Sequence, residues 1–447
     1  MHDPYFATAD AAQPRRRWSR RRRLITTIAA SLVLVLGAGA AVAALIFKNF
    51  TDSIVRSDFA LPLVEQPEED TSEQNILIMG MDSRVDQNGE PLSDEIYEAL
   101  HAGNADDGGY NANVLMLLHI PEDRSQTSVI SIPRDDYVEL VGAPLGVTHS
   151  KIKEAYGLAM QERMNEIAYS DEEFSDEEAY QDARRAGRQA QIETVSHFLG
   201  DVRIDHFVEM TMGGFYYVAE AVAPVTVCLN QATEDSYSGA QFTAGVQELD
   251  AEQAMSFVRQ RRDTGFDGPF LTDLDRSRRQ QAFLSSLATN LKQRSTLTNP
   301  KTVLALADVT QHHVALDSDF DILAFVRTAF EASKSGARFV TLPILGFETI
   351  DGASVNTVDI DEVQSVVAAV LDGSYFEPEV AADNPDALAG DKPITDGDLD
   401  ETDEPNQLAE DEAPAQVPSG RGAAGEPLAV YDSWDEPILA GSLPCVN

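Results

Sequence analysis

The chain has 447 residues, with 33 Lys and Arg against 75 Asp and Glu, a formal net charge of −42. That length holds one large or two modest domains plus tails, and a hydrophobic fraction of 43% supplies an ordinary core. So acidic a body repels nucleic acid and anionic lipid as a whole, which excludes nucleic-acid binding as a general property and makes every basic cluster a local device.

Residues 1–23 are a basic tail containing a run of seven arginines, Arg15 to Arg17 and Arg20 to Arg23. The segment Leu24 to Phe47 follows, 24 residues without a charge. About 20 apolar residues span a bilayer, and arginines on the near side favour a cytoplasmic N-terminus. A signal peptide has a shorter apolar region, so residues 24–47 read as an uncleaved transmembrane anchor. The remainder then lies outside the cytoplasm, on a polar stalk at 48–73. In that compartment Cys228 and Cys445 can form a disulfide.

"NILIMGMD" (75–82) reads as the first strand, and 83–110 as a long excursion. "NVLMLLHI" and "TSVISIP" are apolar runs suited to strands buried on both faces. A helix is predicted at 176–200, with Gly200 as its stop. A strand at 204–211, a helix at 212–222 and a strand at 224–229 follow. Alternating strands and helices indicate an α/β sandwich with helices on both faces of one sheet, here spanning 74–376. Residues 377–428 are rich in Asp, Glu, Pro, Gly and Ala, and cannot bury enough surface to offset chain entropy. They read as a disordered acidic linker, leading to an ordered segment at 429–447 that ends near Cys445.

The stretch 257–283 concentrates six arginines. "LDAEQAMSFVRQRR" has Asp250 as N-cap and Gln253 three residues on, a capping box. In the next segment Arg276, Arg279 and Gln280 share the face that carries Phe283, Leu284 and Leu287, while Arg278 points to solvent. An inward arginine must be paired. On residues alone this is either a salt-bridge network involving Asp273 and Asp275 or an anion site, since several guanidiniums suit a pyrophosphate. Arg134 at a strand end and Lys151 nearby extend the cluster. Asp82 at the end of the first strand is a candidate Mg2+ ligand. There is no P-loop, and the histidines lack the company of a zinc site.

Seven blocks in order, from "NILIMGMDSR" through "VISIPRDDYV" and "KIKEAYGLA" to "GVQELDAEQAMSFVRQRR" and "DLDRSRRQQAFL", resemble the LytR-CpsA-Psr (LCP) family of membrane-anchored cell-wall glycopolymer ligases in its actinobacterial form. The resemblance implies a three-layer α/β/α sandwich with a central mixed sheet, and a single-pass protein with its catalytic domain outside the cell membrane. It implies a phosphotransferase that moves a glycopolymer from a polyprenyl-pyrophosphate carrier to a hydroxyl of peptidoglycan or a surface glycoprotein, forming a phosphodiester. The implied head-group residues are Arg134, Lys151, Arg259, Arg261, Arg276, Arg279 and Gln280, with Asp82 and Asp273 as catalytic carboxylates beside Arg134, Arg259 and Arg261. Mg2+ is the implied cofactor, at Asp82 and at Asn113. There the family usually has an aspartate, and the amide brings no negative charge. Asn111 likewise replaces an arginine. The rival readings are an envelope protein that binds lipid-linked glycans without turnover, and a polyprenyl-pyrophosphate hydrolase.

Overall fold

The computed structural model describes residues 54–61, 73–124, 126–171, 173–265, 268–293, 300–322, 324–325, 336–377, 421–422, 425–439 and 441–447. The basic tail, the predicted anchor, residues 48–53 and 62–72 of the stalk and most of the acidic linker lie outside the described residues. No helix among the described residues is long and apolar enough to cross a membrane.

Seven strands form the central sheet: β1 (Val55–Ser57), β2 (Gln74–Met81), β3 (Ala112–Ile120), β4 (Thr127–Ser131), β7 (His206–Met210), β12 (Val314–Asp317) and β13 (Ala337–Thr341). Their order is β1-β12-β7-β2-β3-β4-β13. The sheet is mixed: β2 pairs antiparallel with β3 and parallel with β7, and β13 runs parallel to β4. Three two-stranded pairs decorate it: β5 (Tyr137–Glu139) with β6 (His149–Lys151), β9 (Thr233–Asp235) with β10 (Ala240–Phe242), and β14 (Gly346–Ile350) with β15 (Ala353–Thr357).

Eight helices have both bounds within the described residues: α1 (Asp94–Leu100), α2 (Glu154–Tyr169), α3 (Asp176–Phe198), α4 (Met212–Val222), α5 (Ala251–Arg259), α6 (Asp273–Gln293), α7 (Pro300–His313) and α8 (Ile360–Leu371). Local chemistry sets their ends. Ser175 and Glu178 close a capping box on α3, and Asp250 and Gln253 close the expected one on α5. Past the end of α3, Gly200 takes φ +92°, a conformation that glycine adopts without a Cβ penalty.

Strand alternation divides the core into two. Leu77, Met79, Leu115, Leu117 and Ile130 pack with Ala155 of α2, Val195 of α3 and Val363 of α8. Met116 and Val129 face the opposite way, toward Leu100 of α1, Ala219 of α4, Phe257 of α5 and Phe283 of α6. Helices therefore cover both faces, as the alternation of elements predicts.

Several expectations need correction. The run 224–229 does not join the central sheet. As β8 (Val225–Leu229) it lies in a second, four-stranded sheet of order β11-β8-β17-β16, with β11 (Gly245–Leu249), β16 (Leu428–Val430) and β17 (Leu443–Val446). Periodicity marks a run as a strand but not which sheet receives it. The stalk is not polar spacer throughout. Val55–Ser57 adds a parallel edge strand against β12, and Phe59 meets Phe207 edge-on at 5.8 Å. Ile54, Val55, Phe59 and Leu61 are the apolar residues behind this. Order at the C-terminal end is present at Arg421, ahead of residue 429, where Arg421 bridges Pro427. Cys228 and Cys445 face each other in register on β8 and β17 and are joined by a disulfide.

Candidate active site

Between the central sheet and helices α4, α5 and α6 lies a cavity of about 410 Å3. Its depth is apolar. Ile78, Met116 and Val208 come from the sheet, Phe215 and Val218 from α4, and Phe283, Leu284 and Leu287 from α6. These sheet residues are the ones whose neighbours, Leu77, Leu117 and Phe207, point into the opposite core. Gly80 is required in this wall, because a Cβ there would stand 2.9 Å from Cβ of Val114.

The mouth is charged. Arg84, Arg134, Arg259, Arg261 and Arg276 line it together with Asp82, Asn113 and Gln280. All sit at one end of the sheet: Asp82 just after β2, Asn113 at the start of the antiparallel β3, and Arg134 just after β4. Ligand sites of α/β sheets commonly lie at such strand ends. A register irregularity at Gly80/Met81 ends the regular pairing immediately before Asp82.

Asp273 organises the arginines. Its Oδ1 lies 2.8 Å from Nη2 of Arg134, and its Oδ2 accepts from Nη2 of Arg276 at 3.0 Å. The same Nη2 of Arg276 donates to the main-chain oxygen of Asn113 at 3.1 Å. Nε of Arg134 and Nε of Arg276 are buried and have no hydrogen-bond partner among the described residues. A buried donor left unpaired is costly; Nε of Arg134 has only Oδ2 of Asp135 at 3.8 Å, so both groups are able to donate to an anion. Arg84 and Arg259 are held from the other side by main-chain oxygens at and after the C-terminal end of α1. Arg259 donates to Leu100, and Arg84 to Ala102 and, at 2.7 Å, to Asp107. Burial pushes the Arg276 guanidinium down to about 10 and lowers Arg259 and Arg261. Asp273 opposes the shift at Arg276, which stays charged at neutral pH.

The predicted site residues thus separate. Arg134, Arg259, Arg261, Arg276, Gln280, Asp82 and Asn113 converge on the cavity. Asp273 supports it from behind. Arg279 does not reach it. Its Nε donates to the main-chain oxygen of Asn447 at 2.7 Å, Nη1 to Gln260 at 2.6 Å and Nη2 to Thr233 at 3.2 Å. Lys151 does not line the cavity either, and is drawn to Asp135 at 3.4 Å, which Lys153 contacts at 2.7 Å. Arg278 is buried rather than solvent-facing: it lies over the Tyr431 ring at 5.4 Å and donates to Ser433. A helical wheel cannot show that another segment covers the rear of α6. Arg84 lines the mouth as well. Its position after a strand-end aspartate was the available signal.

For Mg2+, the mouth offers one carboxylate, Asp82, and the amides of Asn113 and Gln280, of which Asn113 stands at the start of β3. No cluster of three or more His, Cys, Asp or Glu able to hold a metal occurs among the described residues. That donor set fits an ion that arrives with phosphate oxygens supplying most of its ligands, not one held by protein alone.

The LytR_cpsA_psr family matches residues 49–370. The chain belongs to that family. Cell wall biosynthesis protein LcpA of Corynebacterium glutamicum is 34% identical over 70% of this chain and 58% of its own length. Probable cell wall biosynthesis protein LcpB of the same organism is 28% identical over 64% and 58%. A polyisoprenyl-teichoic acid–peptidoglycan teichoic acid transferase, TagU of Oceanobacillus iheyensis, is 25% identical over 57% and 68%. This family member therefore spans about three fifths of the two corynebacterial relatives. A solved LytR-Csp2A-Psr enzyme from Actinomyces oris is 17% identical with a TM-score of 0.47, over 70% of this chain and 94% of its own.

Proposed function

We propose that this protein is a phosphotransferase that takes a glycopolymer from a polyprenyl-pyrophosphate carrier and joins it to an acceptor hydroxyl of the cell wall, in peptidoglycan or a surface glycoprotein. One observation carries the reading: an apolar cavity whose single charged end bears five guanidiniums against one carboxylate. An isoprenoid tail matches the depth and a pyrophosphate matches the mouth. The names of the corynebacterial and TagU relatives point the same way.

The chemistry needs positioning and charge stabilisation more than covalent participation by the protein. The acceptor oxygen attacks the phosphorus that bears the sugar. The bond from that phosphorus to the bridging oxygen breaks, and polyprenyl phosphate leaves with the electron pair. Arg134 and Arg276, with their unpartnered Nε groups, face the transferred phosphoryl. Arg84, Arg259 and Arg261 neutralise the leaving phosphate. Asp273 is engaged by two arginines and serves to position them. Asp82 lines the mouth beside Arg259, whose charge it supports, and is not clamped by two arginines as Asp273 is, so it takes the hydroxyl proton. Mg2+, held by Asp82 and Asn113 together with the pyrophosphate, would add positive charge there. We place the catalytic domain outside the cell membrane behind an anchor at 24–47, where the lipid carrier and the wall are both within reach.

The test supplies a polyprenyl-pyrophosphate glycan with and without an acceptor glycan. Transfer to the acceptor is the expected result. Release without acceptor would indicate a hydrolase, and tight binding with no chemistry a non-catalytic binding protein.

A further inference from the structure

The C-terminal segment, in chain order the most distant from the mouth, is built onto the back of the helix that forms one wall of the site. β17 inserts between β8 and β16, locked by the Cys228–Cys445 disulfide with both cysteines fully buried. Asn230 ties the same region from the body: its amide donates to Val446 at 2.8 Å and its side chain to Tyr431 at 3.0 Å. Ile438 exchanges main-chain hydrogen bonds of 2.9 and 3.0 Å with Phe339 of β13. The segment therefore bridges both sheets, and α6 lies against it.

The two faces of α6 have different partners. Arg276, Gln280, Phe283, Leu284 and Leu287 face the cavity. Arg278 and Arg279 face the C-terminal segment, through Ser433, Tyr431 and Asn447. Arg279 also reaches Gln260, the residue between Arg259 and Arg261, and Gln260 in turn donates to Arg262 at 3.0 Å. One fully buried guanidinium thus joins Asn447, Thr233 and Gln260, the residue between Arg259 and Arg261, from a position three residues along α6 from Arg276. Its burial brings it down to about 9, still cationic at neutral pH. A buried charge with one partner removed is left poorly compensated, so loss of the segment would disturb α6 where it carries Arg276.

We propose that residues 425–439 and 441–447 form a covalently latched brace, and that Arg279 is a positioning residue that transmits it to the pyrophosphate-binding arginines. This rests on the substrate class proposed above. The closing experiment uses the full chain with a specific protease site introduced within 378–420, and geranylgeranyl pyrophosphate as probe. After cleavage the disulfide should retain the segment, and affinity should stay within twofold of the intact chain. The same cleavage in a Cys445→Ser chain should let the segment dissociate, as mass spectrometry would show, and weaken probe binding at least tenfold. Arg279→Gln in the uncut chain should weaken binding with the segment still attached, and Arg279→Lys should recover part of the loss. Full affinity in the folded protein after the segment has left, or in Arg279→Gln, overturns the proposal. So does a fall in melting temperature with no change in affinity. An intact chain that binds no probe instead overturns the substrate reading itself.

Discussion

Asp273 Oδ1 stands 2.8 Å from Arg134 Nη2, joining the first turn of α6 to the strand end after β4. With its second oxygen on Arg276, this carboxylate is an arginine holder and a poor candidate for proton transfer. Asp273→Asn keeps the shape and removes the charge. The hydrogen bond to the charged Arg276 contributes about 1.5–3 kcal/mol, so we expect substrate affinity to fall roughly 10- to 100-fold. The loss should appear mainly in KM, with the fold retained by circular dichroism. An unchanged KM would reject this role.

Asp82 should behave in the opposite way. Asp82→Asn leaves the arginine mouth intact, so binding of a prenyl pyrophosphate measured without Mg2+ should change little. Removal of a proton acceptor costs about 10²–10⁴ in rate, to be read in kcat with saturating acceptor. Similar losses in Asp273→Asn and Asp82→Asn, both in KM, would argue that neither residue handles the proton.

Much of this arrangement was legible in the sequence. The strand-end positions of Asp82 and Arg134 follow from apolar runs, and the capping box places Arg259 at the end of a helix. Those signals are local, and local chemistry determines them. Arg279 illustrates where they stop. Its spacing puts it inward with Gln280, but only the tertiary structure shows that "inward" at that turn means Gln260, Thr233 and Asn447 rather than the cavity. The second sheet was hidden for the same reason: β8 receives a partner from the far end of the chain, and no periodicity encodes that pairing.

The apolar depth predicts dependence on chain length. Leu284 and Leu287 lie on α6 one and two turns beyond Gln280. Leu284→Trp fills the space a tail would occupy. Affinity for a long prenyl pyrophosphate should drop at least tenfold, while isopentenyl pyrophosphate, whose short chain stays near the arginines, should be little affected. Equal losses for both would show that the tail lies elsewhere.

Asn113 predicts a metal response. Asn113→Asp adds a second carboxylate at the mouth, and carboxylates are the protein ligands Mg2+ favours. The concentration of Mg2+ giving half-maximal activity should fall, and the Mg2+ affinity of the pyrophosphate complex, measured by calorimetry, should rise. If neither changes, Asn113 does not face the metal.

On the reverse side of β7 a buried network predicts acid sensitivity. Val208 and Met210 line the cavity, so Glu209 between them points into the opposite core. Its carboxylate accepts from Arg184, from Arg188 Nε at 2.8 Å, from Gln87 at 3.0 Å and from the Tyr156 hydroxyl at 3.1 Å. Burial alone would push the Glu209 carboxyl up, but Arg184 and Arg188 outweigh it and bring it down to about 2. A carboxylate depressed in the folded state contributes stability that is fully present above its ordinary value near 4.5 and is lost as pH falls through about 2. Glu209→Gln strands two buried guanidiniums, a change that costs about 3–5 kcal/mol at neutral pH. The stability gap between wild type and Glu209→Gln, measured by urea unfolding, should therefore narrow as pH drops from 5 toward 2. A gap that stays constant over that window would mean that the charge of Glu209 does not hold the arginines.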